Sequence, residues 1–256
     1  MATDRLPLSV IIPAQNEADR IGRGLDSVQF ADEILVIDSF STDNTVKIAQ
    51  SKGARVIQQE FHYAASQKNR SIPQAAHEWV LILDADEWIS EPLKKEIIDL
   101  LQKGPDKKGY AIPRINYYMD QKVKYSGWQN DQVVRFFHRD SGKYNDKRVH
   151  EKLIVSGPVG KLKNHIHHNT YRSFQDVLRK VNQYSTWKAM DKVDKGKKAS
   201  YASMFYKPVF TFFKSYFLRA GIRDGKVGFI ISVITAGSVF LRQVKIWRLQ
   251  NGEKMS

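Results

Sequence analysis

An apolar run, "WVLIL" at residues 79–83, stops abruptly at Asp84, Ala85, Asp86 and Glu87. Five consecutive apolar residues read as a strand buried on both faces. Acids crowded at its end repel one another unless something positive sits among them. Side chains two apart on an extended chain point the same way, so Asp84 and Asp86 can reach one ion and its hydration shell. Hard oxygen ligands of this kind hold Mg2+ or Mn2+, and such an ion neutralises a bound diphosphate. The plainer alternative is a helix start, because acids often occupy the cap and first turn. Asp38 is a second acid at the end of an apolar run, "EILVI" at 33–37. A carboxylate buried there needs a partner, such as a ribose hydroxyl or a base N–H. Helix capping accounts for Ser41 or Asp43 better than for Asp38.

The first hundred residues must position these acids, and there strand and helix alternate. Strands are expected at 8–12, 33–37, 55–58 and 79–83. Between them, "NEADRI" opens a helix with Asn16 as N-cap, "STDNTVKIAQSKGA" is a capped helix stopped near Gly53, and residues 63–76 are helical. "SEPLKKEIIDLLQKG" is a fourth helix, with Pro92 in its first turn. Strands separated by helical segments of this length imply right-handed crossovers and a parallel sheet. Ligands gather at the carboxyl ends of such strands, where "PAQNE", "DSFSTDN" and "DADE" all lie. From about residue 109 the chain turns to Tyr- and Arg-rich segments of antiparallel character. Residues 173–190 return to helix, with Phe174, Val177, Leu178, Val181 and Tyr184 on one face, and 191–198 form a charged linker. The expected division is therefore 1–172 and 173–256.

Charge sharpens that division. Residues 1–160 hold 22 Lys and Arg against 22 Asp and Glu, whereas 161–256 hold 19 against 5, which accounts for the whole net charge of +14. A balanced globular front is joined to a basic back, of the kind that meets nucleic acid, anionic membrane or acidic ligands. The absence of cysteine excludes disulfides and thiolate metal sites. No basic leader followed by an apolar stretch opens the chain, so no signal peptide is expected. Neither a G-x-G-x-x-G nor a Walker A sequence is present.

"SVIIPAQNEADRI", "ILVIDSFSTDNT" and "WVLILDADE", in this order and spacing, resemble the nucleotide-sugar-binding half of family 2 glycosyltransferases, which have the GT-A fold. The resemblance implies a Rossmann-like, mixed, mainly parallel α/β sheet with flanking helices. It also implies that Pro13, Asn16 and Glu17 line the nucleotide pocket and that Asp38 sits against uracil or ribose. Lys68 would lie near the base or phosphates, Asp84 at the ribose or a metal-bound water, and Asp86 directly on Mn2+ or Mg2+. Further along, "GWQNDQVVRFFHRDSGKYNDKRVHEKL" resembles a subgroup that includes bacterial lipopolysaccharide core β-1,4-glucosyltransferases. That likeness makes Glu151 the base, with Asp131 the alternative. His150 would orient the carboxylate or contact phosphate, and Trp128 and Arg135 would meet acceptor or phosphate. The implied reaction is inverting transfer from a nucleotide sugar, UDP-glucose foremost, to a lipid-linked saccharide such as lipopolysaccharide inner core.

"NHIHHNT" at 164–170 is too thin a ligand set for zinc, and a single His168 completing the Mn2+ or Mg2+ shell is the sharper expectation. Residues 201–217 contain eight aromatics interleaved with basic residues, and 227–241 run fifteen residues without a charge. Fifteen is short of the roughly 20 residues that cross a bilayer. An interfacial amphipathic element is expected, peripheral on the cytoplasmic face of a bacterial inner membrane. The aromatics sit in apolar runs rather than on a polar face, which argues against nucleic acid. Two other readings make different predictions. A nucleotidyltransferase on this architecture would release pyrophosphate, and a non-catalytic basic module would bind membrane or nucleic acid without turnover.

Overall fold

A computed structural model describes residues 5–145 and 151–253. The chain forms two compact units, Met1–Ile115 with Asn130–His168, and Asn116–Gln129 with Asn169–Ser256.

The first unit begins with β1 (Leu8–Ala14), α1 (Ile21–Ser27), β2 (Glu33–Asp38), α2 (Thr45–Ser51), β3 (Arg55–Gln58), α3 (Ala64–Ser71) and β4 (Trp79–Ile82). β1 pairs in parallel with β2 and β4, and β2 with β3. β5 (Glu87–Ile89) and α4 (Glu91–Lys103) follow. Ser90 caps α4, its hydroxyl accepting from the Leu93 N–H at 3.3 Å, and Gly104 ends it at φ 79°. β6 (Gly109–Tyr118) and β8 (Gln132–His138) supply the antiparallel section, with β8 paired to both β4 and β6, while β7 (Gln121–Val123), between them in the chain, belongs to the second unit. Short strands β9 (Gly142–Tyr144), β10 (Leu153–Val155), β11 (Val159–Lys161) and β12 (Ile166–Asn169) complete it. The sheet order is β3-β2-β1-β4-β8-β6-β12-β5. This is the mixed, mainly parallel α/β sheet with flanking helices that the sequence predicts.

Period-two alternation explains why the central strands read as continuous apolar runs. Val10, Ile12, Val36 and Leu81 face Ile21, Leu25, Leu93 and Ile97 on one side. Ile11, Leu35, Ile37, Val80 and Ile82 face Ala65 and Ile72 on the other. Each such side chain, fully withdrawn from water, contributes about 1.5–3 kcal/mol. That is the force holding the strand ends in register.

The second unit contains α5 (Phe174–Asp194), α6 (Tyr201–Phe213) and α7 (Gly225–Gln250). Ser173 caps α5 through the Asp176 N–H at 3.2 Å. Only Val177 of the expected inward stripe is fully buried, while Phe174, Leu178 and Tyr184 are exposed. The uncharged 227–241 run also departs from expectation. Read alone as too short to cross a bilayer, it is the middle of a continuous 26-residue helix. With the preceding turn, Gly221–Gln250 is the one segment among the described residues long and apolar enough to cross a membrane.

Candidate active site

Parallel pairing sets Asp38 beside Ala14, and Ile82 beside Ile11, so the loops after β1, β2 and β4 leave the same edge of the sheet. Pro13 lies in β1 opposite Ile37. Asp38 is fully buried. Its Oδ2 accepts from the Ser41 N–H at 3.0 Å, while Oδ1 has no hydrogen-bond partner among the described residues. An unmatched buried carboxylate oxygen costs about 1–3 kcal/mol or more, and such a group calls for a missing partner. Asn16 corrects an expectation: helix α1 starts only at Ile21, and Asn16 instead adopts φ 54°, a left-handed conformation that Asn tolerates. There its N–H donates to Ser41 Oγ at 2.8 Å and its Oδ1 accepts from the Thr42 N–H at 2.8 Å. The Glu17 N–H donates to Thr45 Oγ1 at 2.8 Å. The loops after β1 and β2 are thereby stitched together around Asp38.

Next to them runs a chain of alternating charges. Lys68 Nζ, from α3, lies 3.1 Å from Glu151 Oε1 and 2.8 Å from Asp84 Oδ1. The other Asp84 oxygen is held by the Arg135 guanidinium, which β8 presents. Arg135 also stands 3.6 Å from Glu87 Oε2 and donates to the Tyr144 hydroxyl at 3.1 Å. Glu87 Oε1 pairs with Arg114 at 3.1 Å. Arg114 then grips Asp131 with two bonds of 2.9 and 3.1 Å. The two candidate bases, Glu151 and Asp131, thus sit at opposite ends of one seven-member ion-pair chain.

Burial and charge compete along this chain, and charge prevails. Burial opposes the Asp84 carboxylate, yet Arg135 and Lys68 hold it well below the usual carboxylate range. Burial likewise opposes the Lys68 ammonium, yet Asp84 raises its pKa above the ordinary lysine value. The Arg135 guanidinium, also penalised by burial, is raised by Asp84 and then Glu87. Lys68 and Arg135 are therefore permanent cations and Asp84 a permanent anion at neutral pH.

Asp86 is placed differently. Its Oδ2 lies 3.7 Å from His168 Nε2 and 4.0 Å from Arg20, which also binds Glu17 Oε2 at 3.1 Å. β12 brings His168 there by pairing it with Glu87 of β5. Among the described residues no three His, Asp or Glu side chains form a ligand group. A carboxylate and an imidazole on one spot nevertheless fit an ion that takes most of its ligands from a bound diphosphate and water. Asp84, with both oxygens already on cations, suits an indirect contact. His167 stacks on Trp88, ring centroids 5.0 Å apart, and Arg23 covers Trp88 at 3.5 Å.

Trp128 belongs to the second unit, edge-on to Tyr118 at 6.4 Å. His150 lies outside the described residues. Sequence reading missed Glu87, Arg114 and Arg20 as members of the site. Glu87 had a signal, being the third acid after β4. Arg114 had none, because only the β6–β8 pairing brings it to Asp131.

A sequence model described as Glycosyl transferase family 2 matches residues 9–160. The chain is 28% identical over 251 residues to the lipopolysaccharide core biosynthesis glycosyltransferase LpsC of Rhizobium meliloti (strain 1021), covering 95% of this chain and 93% of that one. It is 31% identical over 252 residues to an uncharacterized glycosyltransferase of Rickettsia felis, covering 93% and 89%. Among solved structures, S. aureus TarS 1-349 superposes with a TM-score of 0.47 at 13% identity, covering 98% of this chain and 93% of that one. The chain belongs to glycosyl transferase family 2 and is a glycosyltransferase of the GT-A fold class.

Proposed function

We propose that this glycosyltransferase moves a glucosyl group from UDP-glucose to a hydroxyl of a lipid-linked saccharide, in the inner core of lipopolysaccharide, with inversion at the anomeric carbon. It would work at the cytoplasmic surface of a bacterial inner membrane. The observation that carries this reading is the convergence of Asp38, Asp84 and Asp86 at one edge of the sheet, with Lys68 and Arg135 fixing Asp84 between them. The name of the R. meliloti relative supports the acceptor class.

Asp38 Oδ1, buried and unmatched, accepts from the uracil N–H or a ribose hydroxyl, and Asn16 and Glu17 close the loop over the nucleoside. Asp86 and His168 would hold Mn2+ or Mg2+. When bound, that ion supplies positive charge to the leaving diphosphate. Glu151 takes the acceptor proton, the acceptor oxygen bonds to the anomeric carbon, and the bond from that carbon to the diphosphate oxygen breaks with its electron pair, releasing UDP. Two contacts favour Glu151 over Asp131 as base. Asp131 gives both oxygens to Arg114, whereas among the described residues Glu151 gives Oε1 alone, to Lys68.

The test is release of UDP from UDP-glucose with a lipopolysaccharide-core acceptor, for wild type and Glu151→Gln. Removing a general base should lower kcat by about 10²–10⁴ with little change in donor KM. An unaltered kcat would remove Glu151 from that role. A product of pyrophosphate from a nucleoside triphosphate would replace the reaction class.

A further inference from the structure

In the second unit, α6 and α7 are joined through polar and small groups and show their aromatics outward. Ser203 Oγ and Lys207 Nζ both donate to Gln243 Oε1, at 3.0 and 3.1 Å. Ser232 Oγ donates at 3.0 Å to Ser215 Oγ, in the helical turn Lys214–Leu218 that continues α6. Gly228 lies so close to the chain that a β-carbon there would stand 1.8 Å from the Gly221 carbonyl oxygen. Ser203, Ser215, Ser232 and Gln243 are all buried, whereas Phe205 is 71% exposed and Leu218 77%, with Phe210, Phe213 and Phe217 at least half exposed. A hairpin built for water has the opposite arrangement. Small residues and interhelical hydrogen bonds inside, with apolar bulk outside, are how helices pack in lipid.

We infer that the α6–α7 hairpin is an in-plane lipid-embedded element, its aromatic face seated in the acyl region of one anionic phospholipid leaflet. Charge selects this occupant over a second copy of the chain. Residues 201–248 carry eight Lys and Arg against one acid, Asp224, whose carboxylate already accepts from the Lys124 and Tyr125 N–H groups and the Ser126 hydroxyl. Lys214, Arg219, Arg223 and Lys226 cluster at the turn between the helices, beside exposed Phe217, Leu218 and Ile222. Two such faces pressed together would oppose like charges, while lipid phosphates complement them. Gly221–Gln250 as a whole is long and apolar enough to cross, so the placement of charge along it decides between lying in and crossing. The whole of α7 would span about 39 Å, but its uncharged stretch between Lys226 and Arg242 covers only about 22 Å at 1.5 Å per residue, below the ~30 Å hydrocarbon core. In-plane seating keeps both ends of that stretch at the phosphates of a single leaflet.

The inference deepens the membrane partner proposed above and rests on it for its purpose. It is tested without donor or acceptor, so its failure leaves sugar transfer to a soluble acceptor intact. The chain has no cysteine, so Phe213→Cys and, as control on α4, Lys103→Cys take a single environment-sensitive fluorophore. Full-length protein is mixed with vesicles of phosphatidylglycerol and phosphatidylethanolamine, or of phosphatidylcholine alone. The expected result is a blue shift at position 213, quenched by acyl-chain-brominated lipid, with anionic vesicles only, and none at 103. Phe210→Ser with Phe213→Ser should weaken vesicle binding about tenfold or more while leaving the helical circular dichroism unchanged. Vesicle binding that survives this double substitution, or that high salt removes without any label ever shifting, would overturn insertion. So would a concentration-dependent dimer, seen by sedimentation and broken by the same double substitution, in a protein that ignores vesicles.

Discussion

Lys68 Nζ stands 2.8 Å from Asp84 Oδ1, and the same ammonium reaches Glu151 at 3.1 Å. One buried lysine therefore fixes both the first strand-end acid and the proposed base. Replacing it by Met keeps much of the stem's packing but strips the counter-charge from two carboxylates. Removing one partner of a buried ion pair costs about 3–5 kcal/mol. The expected outcome for Lys68→Met is a loss of this size in urea unfolding together with lost transfer. Lys68→Arg should recover most stability but little activity, because the planar fork cannot reproduce both contacts.

The same pair sets an acid limit on stability. The folded-state pKa of Asp84 is depressed, so its contribution is full above the unfolded value of about 3.9 and is lost as pH falls from there towards the folded value. Lys68 has the opposite sign. Its raised folded pKa gives a contribution that is full below about 10.4 and is lost only as pH rises towards the higher folded value. Urea unfolding of wild type and Asp84→Asn should therefore differ by a constant amount across neutral pH. The difference should shrink below about pH 4.

Glu87 is almost fully buried between Arg114 and Arg135. Glu87→Gln leaves two guanidinium groups facing a neutral amide and is expected to destabilise by about 3–5 kcal/mol. Because Arg135 and Arg114 hold Asp84 and Asp131, donor affinity should fall even where the variant is fully folded. Nucleotide titration at a temperature well below the midpoint separates the two effects.

How much of this was legible beforehand depended on the range of the interaction. The strands at 8–12 and 33–37 were readable because burial on both faces leaves an unbroken apolar run. "SEPLKKEIIDLLQKG", with Pro92 in its first turn, marked α4 because helix starts and stops are local chemistry, and Ser90 and Gly104 prove to be its caps. Asn16 misled for the same reason: a cap residue ahead of a helix looks alike whether it caps or turns, and its actual partners, Ser41 and Thr42, come from another loop. The site's acids were visible as strand-end residues, whereas of their cations Lys68 and Arg135 were named only through the family resemblance and Arg114 and Arg20 not at all. Arg114 and Arg135 arrive on antiparallel strands whose pairing no local pattern encodes. Charge-free runs understated α7, because helix continues through Arg242, Lys245 and Arg248.

In the second unit Asp224 accepts from the Lys124 N–H at 3.1 Å, the Tyr125 N–H at 2.9 Å and the Ser126 hydroxyl at 3.0 Å. Each hydrogen bond to a charged acceptor is worth about 1.5–3 kcal/mol. Asp224→Ala should therefore free the segment that leads to Trp128. Hydrogen exchange at the amides of 124 and 125 is expected to accelerate by at least about tenfold while β1 and β4 amides stay protected.

Isothermal titration of UDP into the purified chain, with and without Mn2+, bears on the donor site that everything else depends on. Wild type should bind UDP with an affinity that Mn2+ strengthens. Asp86→Ala should lose the Mn2+ effect while keeping its unfolding midpoint, and Asp38→Ala should lose UDP altogether. No heat from UDP under either condition, or a Mn2+ effect that survives Asp86→Ala, would contradict the assignment of these strand-end acids to a metal-bound nucleotide sugar.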